Sequence, residues 1–232
     1  MPQSKLGPPT LSSTHVRIGR AVLKLFGWKV VGEVPQIPKF VGIFAPHTSN
    51  LDGLLMVALA FALNIRASIF MKEEAFIGPL GNVLRMLGGV PIRRSAHTNR
   101  VATTAMAIKN QQQIVVGVPP EGTRSYTEFW KSGFYHIAYQ AEVPIVLTYL
   151  DYARKEGGIG PTIYPSGDIH ADMQVIAEFY KDKAAKVPEK FGPVRVRPDA
   201  LPANAPRITR PLQPETTEPA QAEERQVLRE AG

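Results

Sequence analysis

Five short apolar runs punctuate this chain, and stretches of helical period separate them. FVGIFAP, residues 40–46, reads as a strand ending at Pro46, because a continuous apolar run bounded by a turn former suits a strand covered on both faces. RASIFM at 66–71, GGVPIRR at 88–94 and IVVGVPPEG at 114–122 give three more, and VPIVLTYLDY at 143–152 is the strongest. Between them, residues 51–63, a glycine-punctuated stretch ending at Leu87, residues 98–113 and residues 129–141 have helical spacing. A weaker strand signal lies at 160–164, a helix at 171–186 and a last strand at 194–197. Strands alternating with helices of this length predict an α/β fold, with a mixed, largely parallel sheet covered by helices. The apolar helix over 51–63 has 13 residues, whereas a bilayer crossing needs about 20, so no transmembrane segment is evident.

Both ends differ from this core. Residues 1–15 are polar and proline-bearing, which predicts a flexible start; they have no continuous apolar segment of signal-peptide type. RIGRAVLKLFGWKV, residues 17–30, has helical period with Arg17, Arg20 and Lys24 on one face and Val22, Leu25, Phe26 and Trp28 beside it. A basic amphipathic helix with a tryptophan suits the interface of an anionic membrane; a core-packed helix with a solvated basic face fits the same pattern. From Leu201 onward five prolines fall among 32 residues without an aromatic, which predicts a disordered tail over 199–232. One domain over 16–198 is left to hold the function.

Charge narrows the partners. Of 232 residues, 27 are Lys or Arg and 20 are Asp or Glu, for a formal net charge of +7. Residues 1–198 hold 23 basic against 14 acidic groups, while the last 34 hold four and six. A basic body favours phospholipid surfaces, phosphorylated substrates, thioesters on phosphate-bearing carriers, or nucleic acid. No basic–aromatic interleaving or reading motif supports the last of these, so no nucleic-acid partner is expected. There is no cysteine, which excludes disulfides and thiolate chemistry.

The chemistry concentrates in APHTSNLDG, residues 45–53. His47 follows a strand and Asp52 begins the next helix, and loops at strand ends carry ligand-binding groups. A carboxylate bonded to one imidazole nitrogen fixes the tautomer and makes the other a better base. Without a cysteine or a serine in a nucleophile elbow, the simplest use of the pair is to deprotonate a substrate hydroxyl that attacks an activated acyl group. Ser49 and Asp52 also have the spacing of a capping box, and that purely structural use stays open. Arg93 and Arg94 end one strand. Glu121 and Arg124 lie in a turn after another, the arginine suited to a phosphate and the glutamate to a substrate hydroxyl or to orienting an arginine. His15, His97, His136 and His170 have no such setting. No HExxH pair and no Walker pattern occurs, so neither a zinc site nor nucleotide hydrolysis is expected.

Together these segments resemble the lysophospholipid and 1-acylglycerol-3-phosphate acyltransferase family. Its histidine–four residues–aspartate block is similar to His47-Thr48-Ser49-Asn50-Leu51-Asp52, and its arginine block to GGVPIRR with Arg93 or Arg94. A lysine between those blocks corresponds to Lys72 in FMKEEAFIGPLG. The third block is similar to Glu121-Gly122-Thr123-Arg124-Ser125, the fourth to Val143-Pro144-Ile145-Val146. Leu51 stands where an aromatic is common, and Thr48 also departs from the usual residue. The likeness covers residues 38–150 and implies a glycerolphosphate-acyltransferase-like fold. It implies that His47 is the general base and Asp52 its orienting partner. Lys72, Arg93, Arg94 and Arg124 would hold the acceptor phosphate, Glu121 would position the glycerol, and an amide near Gly122 or Thr123 would meet the oxyanion. The implied reaction moves a fatty acyl group from acyl-CoA or acyl carrier protein to a lysophospholipid, with no metal or other cofactor, at the cytoplasmic face of a membrane to which the protein binds peripherally or monotopically. An acyltransferase with another lipid or alcohol acceptor, and a non-catalytic module binding anionic membranes, are the alternatives.

Overall fold

Alternation along β2 (Lys39–Ala45) divides the core into two layers. Val41, Ile43 and Ala45 point into one cluster, and Phe40 into another on the opposite face. The computed structural model describes residues 6–92 and 100–200. In it seven strands pair in one sheet, in the order β1-β7-β6-β2-β5-β3-β4. The others are β1 (Lys29–Val31), β3 (Ala67–Lys72), β4 (Gly89–Ile92), β5 (Ile114–Val118), β6 (Ile145–Asp151) and β7 (Glu156–Ile163). β6, β2, β5, β3 and β4 run parallel, whereas β7 turns back antiparallel to β6 and carries β1 parallel to itself. The expected mixed, largely parallel sheet is therefore present. Its consequence for function is that β2, β5 and β3 end at the same edge.

Helices α1 (Ser13–Leu25) and α2 (Asn50–Ala62) cover one face, with Leu23, Leu55 and Leu59 packed beside Leu150. Helices α4 (Arg100–Asn110), α5 (Gly133–Ala141) and α6 (Ile169–Tyr180) cover the other, where Ile108, Phe134 and Ile176 meet Ile43 and Leu147. The short α3 (Gly78–Met86) joins β3 to β4. α1 approaches α2 closely because position 19 is glycine: a Cβ there would lie 2.5 Å from the Ala58 carbonyl oxygen and 2.6 Å from the Ala62 nitrogen. Both are backbone atoms, so any side chain would force the helices apart.

Several expectations change. The helix expected over 17–30 starts at Ser13 and stops at Leu25. Gly27 takes φ 73°, a conformation that costs glycine nothing, and the amides of Gly27 and Trp28 close the helix on the Lys24 and Leu23 carbonyls. Trp28 therefore leaves the helix face and is buried, 6% exposed. Residues 6–12, expected to be loose, are tied to the body: the Pro9 carbonyl accepts from Arg66 N at 2.9 Å, and Leu11 N donates to Asn64 Oδ1 at 2.9 Å. The weak strand at 160–164 belongs to the longer β7, and α6 ends at Tyr180 rather than residue 186. The strand expected at 194–197 is one bridge, between Trp130 and Val196. From residue 201 the expected tail lies outside the described residues, as do Arg93, Arg94 and His97.

Candidate active site

At the C-terminal end of β2 a cis Ala45–Pro46 peptide leads into His47, and Ser49 caps α2. Ser49 Oγ accepts from Asp52 N at 3.3 Å, while the Asp52 carboxylate accepts from Ser49 N at 2.7 Å, a reciprocal capping box. Asp52 does more than cap. Its Oδ2 also accepts from Thr48 N at 2.6 Å, and its Oδ1 accepts from Ser49 Oγ at 2.6 Å and Tyr152 Oη at 2.5 Å. Fully buried, the carboxylate is held by these neutral donors and fixes the turn that carries His47.

The His47 ring packs edge-on to Phe44 at 5.3 Å between centroids, and among the described residues its buried Nδ1 has no hydrogen-bond partner. The expected direct bond from Asp52 to the ring is thus replaced by a bond from Asp52 to the backbone of the following residues. Asp52 still reaches the ring through its field. Burial lowers the His47 pKa from 6.5; Asp52 pulls it up and Arg124 pushes it further down. The balance leaves a neutral imidazole at physiological pH, as a general base requires.

Glu121 follows β5 and departs from its expected role. It is 1% exposed, and Oε1 accepts from His47 N at 2.7 Å, so it supports the histidine from behind rather than facing a substrate or an arginine. Its buried Oε2 has no partner among the described residues. Burial raises its pKa from 4.5 to about 7, the His47 amide opposing and Asp52 adding to the rise. Below pH 4.5 Glu121 is protonated in both folded and unfolded chains, and its contribution to stability is complete; this is lost as pH rises towards 7, because only the unfolded chain releases the proton easily. Glu121→Gln keeps an acceptor for His47 N without the charge. We expect the variant to gain on wild type by about 3 kcal/mol between pH 4.5 and 8 in urea melts. Parallel pH profiles would contradict this assignment.

Gly122 adopts φ 67° beside the Lys131 side chain, and its N–H donates to the Pro119 carbonyl at 3.1 Å. That amide is spent on the turn, which removes it as an oxyanion donor. Thr123 Oγ1 accepts from Ser125 N at 3.2 Å. Arg124 is exposed at the rim, where Nη1 donates to Asn50 Oδ1, next to the α2 cap. Lys72 ends β3 at the same edge of the sheet, although its side chain lies outside the described parts. His47, Asp52, Glu121 and Arg124 therefore converge from positions up to 77 residues apart (47 to 124). Tyr152 was not singled out by the sequence, and Thr48 stood out only as a departure from the family's usual residue. Thr48 is 1% exposed, and its Oγ1 accepts from Val187 N at 3.2 Å, tying the turn that carries His47 to the segment after α6. Tyr152 sits where β6 gives way to the turn before β7. Burial and the Asp52 carboxylate push its phenol up, so it remains a donor.

On the α1–α2 side of the sheet lies a narrow apolar slot lined in part by Phe44, the residue packed edge-on to the His47 ring. Gly42, Phe44 and Gly117 form its floor, and Met56, Leu59 and Leu63 its α2 wall.

A strand-end histidine, a buried aspartate in its turn and an exposed arginine beside the α2 cap thus meet at one edge of the sheet, and the chain belongs to the acyltransferase family, whose model matches residues 33–151. Over 125 residues it is 30% identical to the 1-acyl-sn-glycerol-3-phosphate acyltransferase of Saccharomyces cerevisiae, a match covering 51% of this chain and 41% of the yeast protein. The chain thus matches about two fifths of that relative's length. Its fold is similar to the crystal structure of the 1-acyl-sn-glycerophosphate acyltransferase PlsC from Thermotoga maritima, with a TM-score of 0.51 and 20% identity over 75% of this chain and 80% of that one.

Proposed function

We propose that this protein transfers a fatty acyl group from a thioester, acyl-CoA or acyl carrier protein, to the hydroxyl of a lysophospholipid, 1-acylglycerol-3-phosphate being the acceptor that fits best. The observation that carries this reading is a neutral, half-buried His47 whose ring packs on Phe44, a lining residue of the apolar slot, with Arg124 bonded to Asn50 at the adjoining α2 start. His47 takes the acceptor proton as the hydroxyl oxygen attacks the thioester carbonyl. The thiolate leaves and the imidazolium returns a proton to it. Asp52 fixes the turn and stabilises the imidazolium through space. With the Gly122 amide occupied, the Thr123 N–H is the backbone donor proposed for the oxyanion. Arg124 holds the acceptor phosphate, with Lys72, Arg93 and Arg94 proposed to join it because β3 and β4 lead to the same edge. The slot accepts the start of the acyl chain.

A panel of acceptors with and without phosphate, supplied with palmitoyl-CoA, tests the assignment. Phosphate-bearing lysolipids should be used best, and Arg124→Ala should raise their KM about tenfold with little change in kcat, since a phosphate contact persists from ground state to transition state. Equal use of a phosphate-free acceptor would overturn the choice of acceptor.

We also propose that α1 rests on an anionic membrane surface. Arg17, Arg20 and Lys24 are exposed along one row, and beside them Ile18 and Leu25 are 50% and 82% exposed. Charge and uncovered apolar surface on one helix match the headgroup interface. Among the described residues no helix is long and apolar enough to cross a membrane. Replacing all three basic residues by Glu should abolish co-sedimentation with phosphatidylglycerol vesicles; unchanged binding would contradict this placement.

A further inference from the structure

The Asp52 carboxylate takes most of its hydrogen bonds from its own turn. Thr48 N, Ser49 N and Ser49 Oγ move with the α2 cap and cannot by themselves set how that cap sits relative to the sheet. Thr48 Oγ1 adds a long bond to Oδ2 at 3.5 Å from the same turn, and one donor comes from 100 residues away: Tyr152 Oη, at 2.5 Å from Oδ1. Tyr152 is itself firmly seated. Its N–H donates to the Ala184 carbonyl at 2.9 Å, and the preceding Asp151 receives Ala153 N at 3.0 Å and the Arg154 guanidinium at 2.6 Å. The ring meets Trp28 edge-on, 4.8 Å between centroids and 88° between planes, with the Lys155 ammonium 5.4 Å from one ring and 5.6 Å from the other. Trp28 in turn closes the end of α1 through its N–H to Leu23 O at 2.8 Å.

We propose that Tyr152 is a positioning residue for the catalytic pair: its hydroxyl holds the Asp52 carboxylate in the orientation that supports His47, and Trp28 buttresses the Tyr152 ring. This rests on the reading of His47 as base. Because the Asp52 carboxylate bonds Thr48, Ser49 and Tyr152 and not His47 Nδ1, it influences the ring through its field and through the backbone turn, and both depend on where the carboxylate points. Glu121 and Val187 seat the backbone of the turn and Thr48 from outside, and the Tyr152 hydroxyl adds a bond from outside the turn to the carboxylate itself. The same contacts run from the end of α1 to the catalytic turn, so the helix proposed to meet the membrane and the base are parts of one packed unit.

Tyr152→Phe removes one oxygen and keeps the ring. The expected result is a fall in kcat of about tenfold with both KM values within about twofold, as for loss of a contact that orients a reacting group. The acid limb of the kcat–pH profile should move upward, because a carboxylate relieved of a donor holds more charge towards the imidazolium. Trp28→Leu, which leaves the hydroxyl but loosens the ring, should lower kcat in the wild-type background and add nothing in the Tyr152→Phe background. Thermal melts of each variant establish that folded protein is compared. Wild-type kcat and an unshifted profile in folded Tyr152→Phe would overturn the proposal, as would independent, multiplying effects of the two substitutions. Should Tyr152→Phe not fold, Trp28→Leu decides alone: an upward shift of the acid limb supports the proposal and an unshifted limb rejects it. His47→Ala in the same assay separates this from the reaction itself. Activity retained there removes the base; activity lost there with Tyr152→Phe at the wild-type level removes only the positioning role.

Discussion

His47→Ala should lower kcat by about a thousandfold, within the range that general-base groups contribute, and leave the fold intact. The ring is half-buried, its Nδ1 has no hydrogen bond among the described residues, and it packs edge-on to Phe44, so removal should cost about 1 kcal/mol or less in a urea melt. KM for the thioester should change little. In wild type, the acid limb of kcat should lie below pH 6.5, because burial lowers the histidine and protonation stops it acting as a base. An acid limb above 6.5 would mean that Asp52 outweighs burial. A variant retaining more than a tenth of wild-type kcat would remove His47 from the chemistry.

Asp52→Ala should be the more damaging substitution for the molecule as a whole. It strips the acceptor from Thr48 N, Ser49 N, Ser49 Oγ and Tyr152 Oη; the Thr48 amide is buried and the other three donors are partly so. A buried donor left unsatisfied costs about 1–3 kcal/mol, and a lost helix cap about 1, so a loss of roughly 4 kcal/mol is expected together with loss of activity. Asp52→Asn separates the two roles. Its single oxygen and its amide keep part of the turn, so stability should fall less, while the missing charge should still lower kcat about a hundredfold. Equal activity in Asp52→Asn and wild type would show that only the scaffold matters.

The parallel core was legible because β2, β5 and β6 are covered on both faces and need continuous apolar runs. β7 was only half visible. Gly157, Gly158 and Gly160 dilute its pattern, yet they are what lets neighbours close in: a Cβ on Gly158 would lie 2.0 Å from the Val31 carbonyl oxygen, and one on Gly160 would meet the Phe179 ring. Trp28 was misplaced because a single positive-φ glycine, Gly27, overrides a helical period that would otherwise run to Val30. In the site, His47 and Asp52 stood out because both fall within one local motif. Glu121 was legible as a residue of interest, but its real partner, the His47 amide, is 74 residues away and leaves no local trace. Tyr152 carried no signal at all. A tyrosine at the end of an apolar strand reads as core, and only the parallel pairing of β6 with β2 brings it beside the α2 cap.

The central claim is direct transfer, with His47 acting on the acceptor rather than on a protein nucleophile. The most direct test mixes stoichiometric palmitoyl-CoA with wild-type protein, with and without 1-acylglycerol-3-phosphate, and follows free thiol, diacyl product and protein mass in the first turnover. The account predicts that thiol and product rise together, one for one, and that without acceptor no thiol is released beyond the uncatalysed rate. A burst of thiol before acceptor is added, with a palmitoyl group retained on the protein, would contradict it.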